Sequence, residues 1–152
     1  MTVYFDMDGT IADLYSVENW LQKLRAEDTS PYIDAKPLCN MEEILPKLKQ
    51  LQYLGIKIGV LSWGSKQATK EYNAAVRKAK RAWLKEQLPN FKFDEIHIVP
   101  YGTPKERVAK DCGWLIDDED LNRFQWELKR GDSFDPTKET IVEILDKILS
   151  FI

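Results

Sequence analysis

The stretch "VYFDMDGTIADLY", Val3 to Tyr15, decides how the rest of the chain is read. Val3, Tyr4 and Phe5 are strand formers, and the apolar run stops abruptly at Asp6, Met7, Asp8 and Gly9. A short run without polar alternation reads as a strand buried on both faces of a sheet, which is the habit of parallel sheets. Two carboxylates two residues apart, followed by a glycine that lets the chain turn tightly, then mark the carboxyl end of that strand.

Working outward, similar short runs occur at Thr2 to Phe5, Lys57 to Leu61, Glu95 to Val99 and Trp114 to Ile116. Between them lie helical patterns. Met41 to Tyr53 carries Ile44, Leu45, Leu48 and Leu51 at spacings of three and four and stops at Gly55. Lys66 to Leu88 is the longest pattern, with Tyr72, Val76, Ala79 and Trp83 on one stripe and Arg77, Arg81 and Lys85 on another. A shorter helix is expected over Pro104 to Cys112. A final one is expected over Pro136 to Leu149, with Thr137 near its start. Strands alternating with helices predict an α/β fold, a Rossmann-like parallel sheet flanked by helices, with ligands outside the carboxyl ends of the strands.

Length and composition fit this reading. The 152 residues suffice for one domain with a real core, residues 1–152, and leave room only for a small insertion. A formal net charge of −3 dictates no partner. Cys39 and Cys112 lack metal-binding spacing and His97 is the only histidine, which excludes a zinc site. His97 sits between Ile96 and Ile98 in a strand pattern, where a structural role is expected. No leader pattern or bilayer-length apolar run is visible, so the expectation is a cytoplasmic, reducing compartment and no membrane partner.

The alternation brings four clusters to one sheet edge. Asp6 and Asp8 follow the first strand, Ser62 ends the second, Lys105 lies beyond the third, and Asp117 with Asp118 ends the fourth. Carboxylates converging in a partly dry cleft repel one another, and a hard cation such as Mg²⁺ is the natural neutraliser. Such a cation leaves positions for phosphate oxygens, while Ser62 and Lys105 offer a hydroxyl and a positive charge. Lys110 competes with Lys105 for that role, although Gly102, Thr103 and Pro104 place Lys105 at a helix start.

With "FDMDGT", "VLS", "GTPKE" and "LIDDED" in this order, the chain resembles the haloacid dehalogenase superfamily from Thr2 to about Asp120. The resemblance implies that Asp6 is a nucleophile forming an aspartyl-phosphate and that Asp8 is the acid/base. It implies that Ser62 and Lys105 hold the phosphate and that Asp117 and Asp118 anchor Mg²⁺ together with Asp6 and Asp8, the latter through its backbone carbonyl. Amides from Met7 to Thr10, among them those of Gly9 and Thr10, would face the phosphate. Members that are dehalogenases or ion-pumping ATPases lack an aspartate at the position of Asp8, so a phosphatase is implied.

Specificity in the superfamily comes from inserted caps, and here only about residues 13–37 are available for a small helical one. The sequence is similar to the 5'-nucleotidase branch, including phage-type homologues, which implies 5'(3')-(deoxy)nucleotide substrates. It is similar in layout to the phosphatase half of phage polynucleotide kinases, which implies a nucleic-acid 3'-phosphate end instead. No P-loop of the G-x-x-x-x-G-K-[ST] type occurs, so no kinase half is expected in this chain. Tyr15, Trp20 and Trp63 would stack on a substrate base or simply cover the sheet edge. The basic stripe of Arg77, Lys78, Arg81 and Lys85 is a solvated helix face or a nucleic-acid surface. A non-catalytic phospholigand binder on the same fold is the reading from another class.

Overall fold

A computed structural model describes residues 1–152. The elements follow as β1 (Thr2–Phe5), β2 (Ala12–Asp13), a 3₁₀ turn (Leu14–Ser16), α1 (Trp20–Arg25), α2 (Ser30–Asp34), β3 (Lys36–Pro37) and α3 (Met41–Tyr53). The second half runs β4 (Lys57–Trp63), α4 (Lys70–Gln87), β5 (Glu95–Val99), α5 (Lys105–Val108), β6 (Gly113–Ile116), α6 (Asp120–Glu127), β7 (Ser133–Phe134) and α7 (Ile141–Ser150). Five strands form one sheet in the order β5-β4-β1-β6-β7, and every pairing is parallel. β1 therefore lies at the centre, with the end of β4 on one side and the end of β6 on the other.

The central strands β1, β4 and β6 are buried on both faces of the sheet, as their unalternated apolar runs require, while the edge strands β5 and β7 are half-buried. Val3 and Phe5 of β1, Ile58 and Val60 of β4, and Trp114 and Ile116 of β6 join Ile44, Leu48 and Leu51 of α3 and Ile141, Ile144, Leu145 and Ile148 of α7 in the larger core. Residues of the opposite parity, Tyr4, Leu61 and Leu115, pack with Ala109 and Trp126 in a second cluster. Trp126 meets Tyr4 edge to face at 5.4 Å and donates its Nε1–H to the Gly113 carbonyl.

The segment between the antiparallel pair β2 and β3 (Ala12 with Pro37, Asp13 with Lys36) holds α1 and α2, a small helical insertion called the cap below. Its own core is Leu14 and Tyr32 against Tyr72, Val76 and Ala79 of α4. Hydrogen bonds pin it there: Tyr72 Oη donates to the Asp28 carbonyl, Trp83 Nε1 to the Ala35 carbonyl and Thr69 Oγ1 to Glu27. No helix is long and apolar enough to cross a membrane.

Several boundaries differ from the sequence reading. α4 begins at Lys70 instead of Lys66, because the Thr69 hydroxyl accepts the Tyr72 N–H and caps it. The helix expected over Pro104 to Cys112 is a single turn, Lys105–Val108. The last helix starts at Ile141, since Thr140 and Glu143 form a capping box while Thr137 turns locally on Asp135. The sheet gains a fifth strand, β7, and a helix, α6, neither of which was expected.

Candidate active site

β1 ends at Phe5, and the chain folds back at once around the Met7 carbonyl, which accepts the N–H groups of Thr10, Ile11 and Ala12. Gly9 makes this loop with φ +80, where a side chain would be strained. A Cβ there would also lie 2.4 Å from Asp118 Oδ2, so the glycine admits the carboxylate of the fourth cluster to the first.

The loop places Asp6 at the floor of a cavity of about 430 Å³. Lys105 Nζ donates to Asp6 Oδ1 at 2.8 Å and to Asp117 Oδ2 at 2.6 Å, at a site where only 2 % of the lysine side chain is exposed. Burial alone would lower the Lys105 pKa, but the carboxylates of Asp6 and Asp117 outweigh it and hold the ammonium above its ordinary value. Lys110, the competing lysine, is exposed. Asp117 is a fixed hub: it also accepts from Asn122 Nδ2 and the Glu119 N–H, and Arg123 Nη1 donates to its carbonyl.

Asp6, Asp117 and Asp118 present carboxylate oxygens within 4.8 Å of one another. The single Thr10 hydroxyl hydrogen faces two of these acids, Asp6 Oδ2 at 3.1 Å and Asp118 Oδ1 at 3.4 Å, and cannot serve both fully. Burial, and next the Asp6 charge, push Asp117 up to about 6 and Asp118 up to about 8. Three acids with one ammonium and one hydroxyl between them are short of positive charge on the Asp118 side. A divalent, oxygen-seeking cation fits that donor set.

Other expected residues have partners of their own. The Asp8 carboxylate is not part of the three-acid cluster. Its Oδ2 accepts from Lys80 Nζ at 2.7 Å. Burial raises the Asp8 pKa and Lys80 opposes that rise. Ser62 is fully buried, and its hydroxyl accepts from Lys80 at 2.8 Å instead of lining the cavity. The N–H groups of Gly9 and Thr10 are engaged inside the loop, donating to the carbonyls of Ala12 and Met7. Those of Met7 and Asp8 donate to no protein acceptor.

The three aromatics singled out, Tyr15, Trp20 and Trp63, all line the cavity. Tyr15 and Trp20 meet edge to face at 5.0 Å, and Trp63 packs on Tyr101 at 4.9 Å. Burial, followed by the charge of Asp8, raises the Tyr15 phenol well above its ordinary value. Trp63 Nε1 also donates to the Thr103 carbonyl, which steadies the turn that delivers Lys105. His97 lies 2.9 Å from Glu95 Oε2, away from the cavity lining, and the basic residues Arg77, Lys78, Arg81 and Lys85 are exposed on α4.

Lys80 and Asn122 were missed. Lys80 is four residues beyond Val76 on the apolar stripe of α4, so helical periodicity alone separates it from its exposed basic neighbours. Asn122 is four residues before the buried Trp126, a spacing that fixes the inner face of α6. Compared with known proteins, the chain matches no family model and no curated sequence.

Proposed function

We propose that this protein is a Mg²⁺-dependent phosphomonoesterase that works through an aspartyl-phosphate on Asp6, with 5'(3')-(deoxy)nucleotides as substrates. The observation that carries the reading is the pairing of two unlike carboxylates at one cavity floor. Asp6 is held by Lys105 beside a three-acid cluster, whereas Asp8 stands apart with a raised pKa. Two acids whose surroundings differ in this way divide nucleophilic from acid/base work. The order of the four motifs resembles the haloacid dehalogenase superfamily and supports the same assignment.

In the first step a carboxylate oxygen of Asp6 bonds to phosphorus as the phosphorus–ester oxygen bond breaks, and the leaving oxygen takes the proton carried by Asp8. In the second, water adds to phosphorus and gives a proton to Asp8. The phosphorus–Asp6 bond breaks, releasing inorganic phosphate and restoring both acids. Lys105 offsets the charge of Asp6 and the incoming phosphate, and the unpaired N–H groups of Met7 and Asp8 are donors for its oxygens. Asp6, Asp117 and Asp118 would hold Mg²⁺, whose charge neutralises phosphate oxygens in such transfers.

A cavity of about 430 Å³ walled by Tyr15, Trp20, Tyr32, Trp63 and Tyr101 supports a leaving group with a planar ring. Phosphate release from nucleoside 5'- and 3'-monophosphates, sugar phosphates and a 3'-phosphorylated oligonucleotide, with Mg²⁺ or EDTA, tests the proposal. Release that needs both Mg²⁺ and Asp6, and is abolished in a folded Asp6→Asn variant, is the expected result. Full activity of Asp6→Asn would remove Asp6 as the nucleophile. Ligand binding without turnover across the panel would leave a phospholigand-binding protein.

A further inference from the structure

Lys80 is 1 % exposed, and its ammonium spends all three hydrogens inside the protein. It donates to Asp8 Oδ2 at 2.7 Å, to Ser62 Oγ at 2.8 Å and to the Trp63 carbonyl at 2.7 Å. An ammonium has three donors and no more, so this set is complete. The Tyr32 ring of the cap, itself buried, covers the same ammonium at 5.1 Å from its centroid. Asp8 has no other hydrogen-bond partner in the protein, which leaves its Oδ1 free, and the residue lines the cavity.

We infer that Lys80 is a positioning residue for Asp8, braced against the end of β4 by Ser62 and the Trp63 carbonyl. The inference rests on the phosphomonoesterase reading and adds to it a second function for Ser62. The Asp8 carboxylate sits on a loop, and a proton donor must lie within hydrogen-bond reach of the leaving oxygen to act. A loop side chain held at a single oxygen by a rigid partner keeps its other oxygen aimed. β4 and α4 are the rigid parts here, and Lys80 transmits their geometry to Asp8. Ser62 serves as a strut for Lys80, and phosphate contact is left to Lys105 and the loop amides.

The leaving group tests this. Proton donation by Asp8 matters greatly for a phosphate ester of an alkyl alcohol and little for p-nitrophenyl phosphate, whose phenolate leaves unaided. The measured quantity is kcat/KM for glycerol phosphate and for p-nitrophenyl phosphate with Mg²⁺, which reports steps through the first irreversible transfer. Lys80→Met is expected to lower the value for the alkyl ester about 100-fold, and that for the aryl ester at least about tenfold less. Ser62→Ala is expected to shift the same ratio in the same direction by a smaller factor. It carries the test alone if Lys80→Met does not fold.

Equal losses on both esters in the folded variants would mean a general structural effect or a direct phosphate contact, and would overturn the inference. So would wild-type values for the alkyl ester in Lys80→Met. A wild-type protein inactive on both esters, and on the nucleotide panel, would instead overturn the phosphomonoesterase reading beneath it.

Discussion

The ammonium of Lys105 lies 2.6 Å from Asp117 Oδ2, and neither side chain has more than 2 % of its surface in water. Asp6 shares the same ammonium, so one cation holds the ends of β1 and β6 together at the proposed nucleophile. Lys105→Met would leave two carboxylates facing each other in a dry site. Removing one member of such a buried pair costs about 3–5 kcal/mol, and for a chain of this size the melting temperature should fall by roughly 10 °C. Phosphatase activity should fall at least about 100-fold, because the charge aimed at the phosphate is lost. Thermal melts and single-turnover assays on the same preparation check both. A variant that stays as stable as wild type would show that the ion pair carries little net energy.

Gly9→Ala tests the junction between the first and fourth clusters. The new methyl would meet Asp118 Oδ2 at 2.4 Å and the Tyr15 ring at 2.9 Å, on a backbone at φ +80. Strain of this kind costs about 1–3 kcal/mol, while the displaced carboxylate belongs to the proposed cation site. The Mg²⁺ concentration needed for half-maximal activity should therefore rise by roughly tenfold or more, beyond what the stability loss alone explains. Titration of activity with Mg²⁺ reads this directly.

The raised carboxylates predict a pH dependence with a definite sign. Asp118 stands at about 8 and Asp117 at about 6 against an ordinary 3.8, and Asp8 is raised as well. Between roughly pH 4 and pH 8 the folded, metal-free protein holds protons that the unfolded chain has lost, so its stability falls as pH rises and levels off above that range. Lys105 is raised too, but its contribution changes only in strong alkali, outside this window. A cation binding the deprotonated acids competes with those protons. The rise in melting temperature on adding Mg²⁺ should then be small near about pH 5.5 and largest near about pH 8.5. A shift independent of pH would place the cation elsewhere.

Much of the fold was legible because its signals are local. The central strands β1, β4 and β6 carry buried apolar runs, β5 sets Ile96, Ile98 and Val99 beside Glu95 and His97, and α3 stops at a glycine with φ +87. α6 was illegible for a physical reason: its apolar Leu121, Phe124 and Leu128 face solvent, while its buried face is built from Asn122 and Trp126. β7 has only two residues, too few for any periodicity to register. The site residues at strand ends could be read from the alternation of elements, which decides where the chemistry gathers. The burial of Lys80 follows from helical phase, but its role could not be read, since that depends on a contact with Asp8 spanning 72 residues of sequence.

Two variants, one in the cavity wall and one on α4, distinguish a mononucleotide substrate from a nucleic-acid end. Trp20 stands on the cap helix α1, lines the cavity and donates no hydrogen bond, so removing its ring leaves Lys105 and the three-acid cluster undisturbed. Stacking of a base on an aromatic side chain contributes about 1–3 kcal/mol, and Trp20→Ala should lower kcat/KM for nucleoside monophosphates by roughly tenfold. The value for glycerol phosphate should stay within about twofold, as that substrate has no ring to stack. Arg77 and Arg81 point to solvent from α4, and Arg81 reaches only the Ile96 carbonyl. Reversing both charges should leave mononucleotide turnover unchanged. If the double variant instead lost activity on a 3'-phosphorylated oligonucleotide, with a flatter dependence on salt, the basic stripe would be a phosphate track and the substrate a polynucleotide. Unchanged salt dependence, together with the selective loss in Trp20→Ala, would leave recognition to the aromatic walls.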